Sequence, residues 1–178
     1  MGHRSDGTRW IYFLYLILIV WVPVPLGSNR AWSAAVLEVW VLLLSMAWLA
    51  GFMRGRYFCG PMLRDSWPVL LCALTWLGYV WLQLLPMPIE ILSWLSPEAA
   101  RWHHAAAFPG ILATAPLTLD RYATLDAACK STAYVAFFTL SLVLLQNRDR
   151  IRIATYALIL SGVLQALYGA FYSLQSPW

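Results

Sequence analysis

Few residues in this chain of 178 combine a reactive side chain with an unusual position. Glu38 is the only acid inside a long apolar run. An ionisable group at such depth is a candidate for function by default. It stands about two turns into its helix, so it can also reach the headgroup level or pair with Arg30 across the preceding turn. Arg30 and Arg121 both lie at the outer membrane boundary. A planar guanidinium suits bidentate capture of a phosphate; the plainer alternative is an interfacial anchor. His103 and His104 invite a metal, but neighbours on a helix point about 100° apart. No further His, Cys or acid stands at ligand spacing, so neither a metal nor another cofactor is expected. Cys59, Cys72 and Cys129 are dispersed, form no CxxC and read as small buried hydrophobes. There is no nucleophilic triad, phosphate-cradling glycine loop or spaced acid pair. No catalytic residue is assigned on chemistry alone.

The elements that must position these residues are membrane helices. Hydrophobic residues make up 61% of the chain, charged residues only 11%, and mean hydropathy is +0.65. Soluble domains carry about 25% charged residues. The expected fold is all-α: a single polytopic membrane domain over 1–178, with about five transmembrane helices near 10–26, 31–53, 67–85, 131–146 and 153–174. The first run follows Arg4 and Arg9 and is too long for a signal-peptide core of about 7–15 residues; no small-x-small site follows it. It is read as a retained span ending at Pro23 and Pro25. Gly27-Ser28-Asn29-Arg30 and Asn147-Arg148-Asp149-Arg150 read as polar turns.

Basic residues set the expected orientation. With the N-terminus inside, the inner segments hold Arg4, Arg9, Arg54, Arg56, Arg64, Arg148, Arg150 and Arg152. The outer ones hold Arg30, Arg101, Arg121 and Lys130. That distribution obeys the positive-inside rule, and the opposite orientation breaks it. The net charge of +4 therefore orients helices and does not indicate nucleic acid as a partner. Membrane lipid is the expected surrounding.

Residues 86–124 are apolar but interrupted by Pro86, Pro88, Pro97, Pro109, Pro116 and Gly110. A lipid-exposed helix would leave backbone groups unsatisfied at each break. This stretch is predicted to be a long loop on the outer face, carrying an interfacial helix. Ser96-Pro97-Glu98 is a helix start, with Ser as N-cap and Pro at N1; the helix is expected to reach Phe108 and stop at Pro109-Gly110. Pro88 to Leu95 reads as an amphipathic piece, with Trp94 and Trp102 at headgroup depth. Asp120 is the expected cap of the next helix, whose start is expected before it enters lipid. Asp126 and Lys130 form an i,i+4 pair. The last span places Gly162, Ala166 and Ala170 on one face, with Gly169 and Ser173 alongside and Gln165 adjacent. Small residues so spaced are a helix-packing face, expected to need a partner helix that lies outside this chain.

Four stretches together resemble the N-terminal half of the O-antigen ligase and polymerase superfamily. They are Pro25-Leu26-Gly27-Ser28-Asn29-Arg30-Ala31-Trp32; Leu85-Pro86-Met87-Pro88 with Leu95-Ser96-Pro97-Glu98-Ala99-Ala100; Leu117-Thr118-Leu119-Asp120-Arg121-Tyr122-Ala123-Thr124 leading to Ala133-Tyr134; and Ser161-Gly162 through Gln165-Ala166-Leu167-Tyr168-Gly169. The resemblance implies a bacterial inner-membrane glycosyltransferase that moves a glycan from undecaprenyl diphosphate to an acceptor sugar in cell-surface polysaccharide assembly. It implies a metal-independent reaction, with basic groups on the outer face holding the diphosphate. Members of that family are longer, and their catalytic arginine and histidine residues come from a later part that no position here matches. The resemblance thus implies an incomplete enzyme, whose partner would be a C-terminal half or further membrane helices. The alternatives are a non-enzymatic assembly or scaffold subunit and, ranked last for want of internal repeats, part of a transporter.

Overall fold

Apolar runs in this chain satisfy their backbone groups internally as helices, the only open-chain solution available in lipid. The computed structural model describes residues 8–23, 31–58, 60–107 and 113–175. In chain order its elements are α1 (Arg9–Trp21), α2 (Ala31–Met53), α3 (Pro61–Asp65), α4 (Trp67–Leu82), β1 (Met87–Pro88), α5 (Ile89–Leu95), α6 (Pro97–Ala106), β2 (Thr114–Ala115), α7 (Arg121–Leu144) and α8 (Arg148–Gln175). Among the described residues the fold is all-α apart from the two-residue strands β1 and β2.

Among the described residues, three helical segments are long and apolar enough to cross a membrane: Trp32–Met53, Arg121–Leu144 and Arg148–Phe171. Helices α1 and α4 are apolar but shorter. At 1.5 Å per residue, the 13 residues of α1 reach about 20 Å, less than the roughly 30 Å of a hydrocarbon core. Three spans plus two shorter apolar helices therefore stand where five spans were expected. Large apolar side chains along these helices face outward, among them Leu43, Met46, Leu74, Leu158, Ile159 and Leu167. Apolar surface of that extent fits lipid as its solvent. The chain is a membrane protein.

Two boundaries differ from the sequence expectation. Helix α7 starts at Arg121, directly after its expected cap Asp120 and ten residues before the predicted span at 131, so residues 121–124 of the expected loop are helical. Asp120 causes this: its Oδ1 accepts from the Ala123 amide at 2.9 Å and caps the first turn. Helix α8 starts at Arg148, taking in most of what reads as a charged turn. The Asn147 carbonyl accepts from Ile151 N at 3.0 Å, and Asp149 sits in the first turn, where the helix dipole favours an acid.

Helix α2 ends where expected, at Met53, in a Schellman cap. Gly55 adopts φ 68°, its amide donates to Phe52 O, and Arg56 N donates to Gly51 O, both at 2.9 Å. The positive φ favours glycine there, and the cap reverses the chain so that Arg56 and Tyr57 follow directly. Helix α4 closes in a tightened turn, with Leu84 N to Trp81 O and Leu85 N to Leu82 O at 3.1 Å, before Pro86.

The chain divides into two compact units, one of residues 1–67 and 136–178 and the other of 68–135. The first packs α1 against α2 and α8. Its core joins Ile11, Tyr15 and Leu18 to Val41, Leu44 and Trp48, and to Leu140, Val143 and Leu144. Tyr15 lies at the centre: its hydroxyl is 2.7 Å from Ser141 Oγ and its ring stacks on Phe137. Ser141 donates to Phe137 O at 2.8 Å, so Tyr15 is the donor to Ser141. The second unit has two small clusters. Leu92, Ala99, Ala100 and Ala115 form one, with Met87, Ile89 and Leu117 against it. Val80, Leu84 and Ala128 form the other.

Candidate functional site

The second unit gathers the segments on either side of α5 and α6. Met87 pairs with Ala115 and Pro88 with Thr114 in the antiparallel β1–β2 ladder, and Thr118 N donates to Gln83 O at 3.2 Å. Leu117 closes over Leu92 and the alanines of α6. The expected helix start at Ser96 is present: Ser96 Oγ accepts from Ala99 N at 3.4 Å, and Pro97 is the first helical residue. Helix α6 ends at Ala106, two residues short of expectation; Phe108, Pro109 and Gly110 lie outside the described residues. Trp94 and Trp102 are exposed, as an interfacial placement requires.

Arg121 is the first residue of α7, exposed, directly after the Asp120 cap and before the exposed Tyr122. A bond of 2.6 Å between Thr118 Oγ1 and Thr124 Oγ1 ties the incoming chain to the first turn. The expected Asp126–Lys130 pair forms at 2.7 Å, and Glu98 pairs with Arg101 at 3.3 Å; both are exposed and worth little. Glu38 is half-buried in α2 and belongs to the other unit. Arg30, with its predicted turn, and Cys59 lie outside the described residues. Among the described residues, no group of three His, Cys, Asp or Glu is placed to hold a metal.

Gly162, Ala166, Gly169 and Ala170 share an exposed face of α8, and a Cβ added at either glycine meets nothing within 4 Å. Within the chain, α8 packs through a neighbouring stripe instead: Ala154 and Ser161 are buried, with Ala157 half-buried between them. Ser161 Oγ lies 3.5 Å from Ile19 O and 3.4 Å from Val20 O on α1. Spacing alone did not separate these two stripes, because both are made of small residues. Gly162→Ala is therefore expected to raise the thermal stability of the isolated chain slightly, by up to about 1 kcal/mol of helix propensity. A loss in a thermal-shift assay would show a helix already packed on that face.

The sequence marks Arg150 only as one of the orientation-setting arginines, not as a fastening residue. Its Nη2 donates to Thr8 Oγ1 at 3.1 Å and its Nη1 to Leu144 O at 3.3 Å. The guanidinium lies 5.0 Å from the Tyr12 ring centroid, and Tyr12 Oη donates to Arg150 O at 2.7 Å. One arginine thus fastens the start of α1 to the α7–α8 turn. No local pattern joins residues 138 positions apart.

The described elements define an all-α membrane protein. No family model, curated protein or solved structure matches the chain.

Proposed function

We propose that this chain is the N-terminal membrane portion of an O-antigen ligase- or polymerase-like glycosyltransferase, acting on undecaprenyl-diphosphate-linked glycans and not catalytically complete alone. In this reading it sits in a bacterial inner membrane with its N-terminus cytoplasmic and α5 and α6 on the periplasmic face. The observation that supports it is that Met87, Ala99 and Ala100 of one resembling stretch pack in the same Leu92 cluster as Leu117 of another. The second unit leaves Arg121 exposed at a helix start. A guanidinium there suits the oxygens of a diphosphate leaving group, whose charge grows in the transition state. Arg30 is assigned the same role, and Glu38 a headgroup contact; catalysis itself belongs to residues outside this chain.

A second reading, a non-enzymatic assembly subunit, is favoured by the open Gly162–Gly169 face of α8. Complementation separates the two. The chain is expressed in a strain lacking the full-length enzyme, with and without a C-terminal half supplied separately, and surface glycan is resolved on a gel. A ladder from the pair and none from either piece supports the split enzyme. No ladder from membrane-inserted pieces supports the subunit. In the restoring pair, Arg121→Ala is expected to lower glycan transfer at least about tenfold, with membrane levels unchanged; full transfer would remove Arg121 from the diphosphate site.

A further inference from the structure

We propose that the Arg150 end of the first unit is a binding site for an anionic phospholipid, with the phosphate among Arg56, Arg150 and Trp48 and an acyl chain along α1. This rests on the chain being a membrane protein and not on the glycosyltransferase reading.

Two cavities meet at Arg150 and Asn147. The smaller, of about 210 Å³, is lined by Trp48, Arg56, Tyr57, Gln146, Asn147 and Arg150 among others. At about 30 Å³ per water it has room for a phosphate-sized group, and it is below the range for drug-sized ligands. Two arginines and two amides supply donors. Arg150 engages two of its five N–H groups, with Thr8 and Leu144, and its orientation is fixed by them and by the Tyr12 ring. The Trp48 indole N–H is buried with no hydrogen-bond partner. Native donors are rarely left so, and a phosphate oxygen is an acceptor that would satisfy it.

The larger cavity, of about 650 Å³, shares the Arg150 and Asn147 wall but is otherwise mainly apolar, with Trp10, Phe13, Leu16 and Ile153. A charged head opening onto an apolar furrow between two helices fits a phospholipid and not a free phosphate. The surrounding charge agrees. Arg9, Arg56 and Arg150 line the two cavities; Arg54 and Arg64 flank Arg56 in sequence, and Arg148 and Arg152 flank Arg150, against Asp65 and Asp149, and Asp149 already pairs with Arg152 at 3.6 Å. Such clusters bind anionic headgroups.

The test is native mass spectrometry of the full chain in detergent, titrated with phosphatidylglycerol or phosphatidylcholine. Phosphatidylglycerol is expected to bind at least about fivefold more tightly. Arg56→Gln is expected to reduce its affinity about fivefold, the effect of one arginine near an anionic headgroup, without changing phosphatidylcholine binding or helicity. Trp48→Phe, which keeps the ring and removes the N–H, is expected to reduce phosphatidylglycerol affinity as well. Arg150→Gln is a weaker test because that side chain also fastens α1. Equal affinity for the two lipids, or unchanged phosphatidylglycerol binding in the Arg56→Gln, Trp48→Phe double variant, would overturn the proposal. So would full displacement of the lipid by millimolar inorganic phosphate, which would mark a free-oxyanion site only.

Discussion

Tyr15→Ala is expected to destabilise the first unit by about 2–3 kcal/mol, whereas Tyr15→Phe costs only about 0.6 kcal/mol. The ratio follows from the solvent. Lipid tails are as apolar as the helix interior, so burying a ring between membrane helices gains little transfer energy. What remains is contact. Tyr15 is 2% exposed, packs with its helix neighbours Ile11 and Leu18 in the core that also takes in residues of α2 and α7, and stacks on Phe137 at 5.2 Å. Removing the ring forfeits those dispersion contacts and opens a cavity too enclosed to refill cheaply. The hydroxyl adds one bond to Ser141, and interhelical hydrogen bonds in membranes average about 0.6 kcal/mol. Unfolding of each variant in mixed micelles, followed by circular dichroism, checks the order. If phenylalanine proves as damaging as alanine, the Tyr15–Ser141–Phe137 relay and not the packing holds this core.

The same contrast explains what could be read from the sequence. Both ends of α2, the start of α4 at Trp67, the Ser96 cap and the Asp120 cap are local events. Each needs only a short run of residues of the right type, so each was legible. The apolar spans read from 131 and 153 begin later than helices α7 and α8 for one physical reason. Both helices open with polar turns carrying Asp126 and Lys130, or Arg148, Asp149 and Arg152, and apolarity marks where a helix enters lipid, not where its hydrogen bonds begin. The β1–β2 ladder spans two residues per strand, too short for any alternation. The contacts that fasten the first unit, Tyr12 to Arg150 and Tyr15 to Ser141, join residues 138 and 126 positions apart. Nothing in the local pattern at either partner names the other. Arg150 looked like one of several topology-setting arginines, and only its neighbours distinguish it.

Leu92→Ala is expected to cost about 3 kcal/mol and to release residues 113–120 from the second unit. Leu92 is fully buried, and its companions Ala99, Ala100 and Ala115 are small. Leu92 is therefore the one large side chain among the fully buried members of this cluster, and its loss leaves a cavity that alanine methyl groups cannot close. With α5 and α6 on the membrane face, as proposed, water or the interface is the solvent of this cluster and the transfer term applies. Leu117 rests on the same cluster, and the bonds that follow it, Thr118 N to Gln83 O and Thr118 Oγ1 to Thr124 Oγ1, hold the approach to α7. Loosening the cluster thus reaches the helix start that presents Arg121, without any change at Arg121 itself. Hydrogen exchange should show faster amide exchange at Ala115 and Thr118 in Leu92→Ala, while Leu92→Met, which nearly conserves volume, stays within about 1.5 kcal/mol of the natural chain. In the complementing pair, the alanine variant should lose glycan transfer along with this protection. Retained transfer despite rapid exchange there would mean that the capped start of α7 does not position the diphosphate, and Arg121 would then be an interfacial anchor.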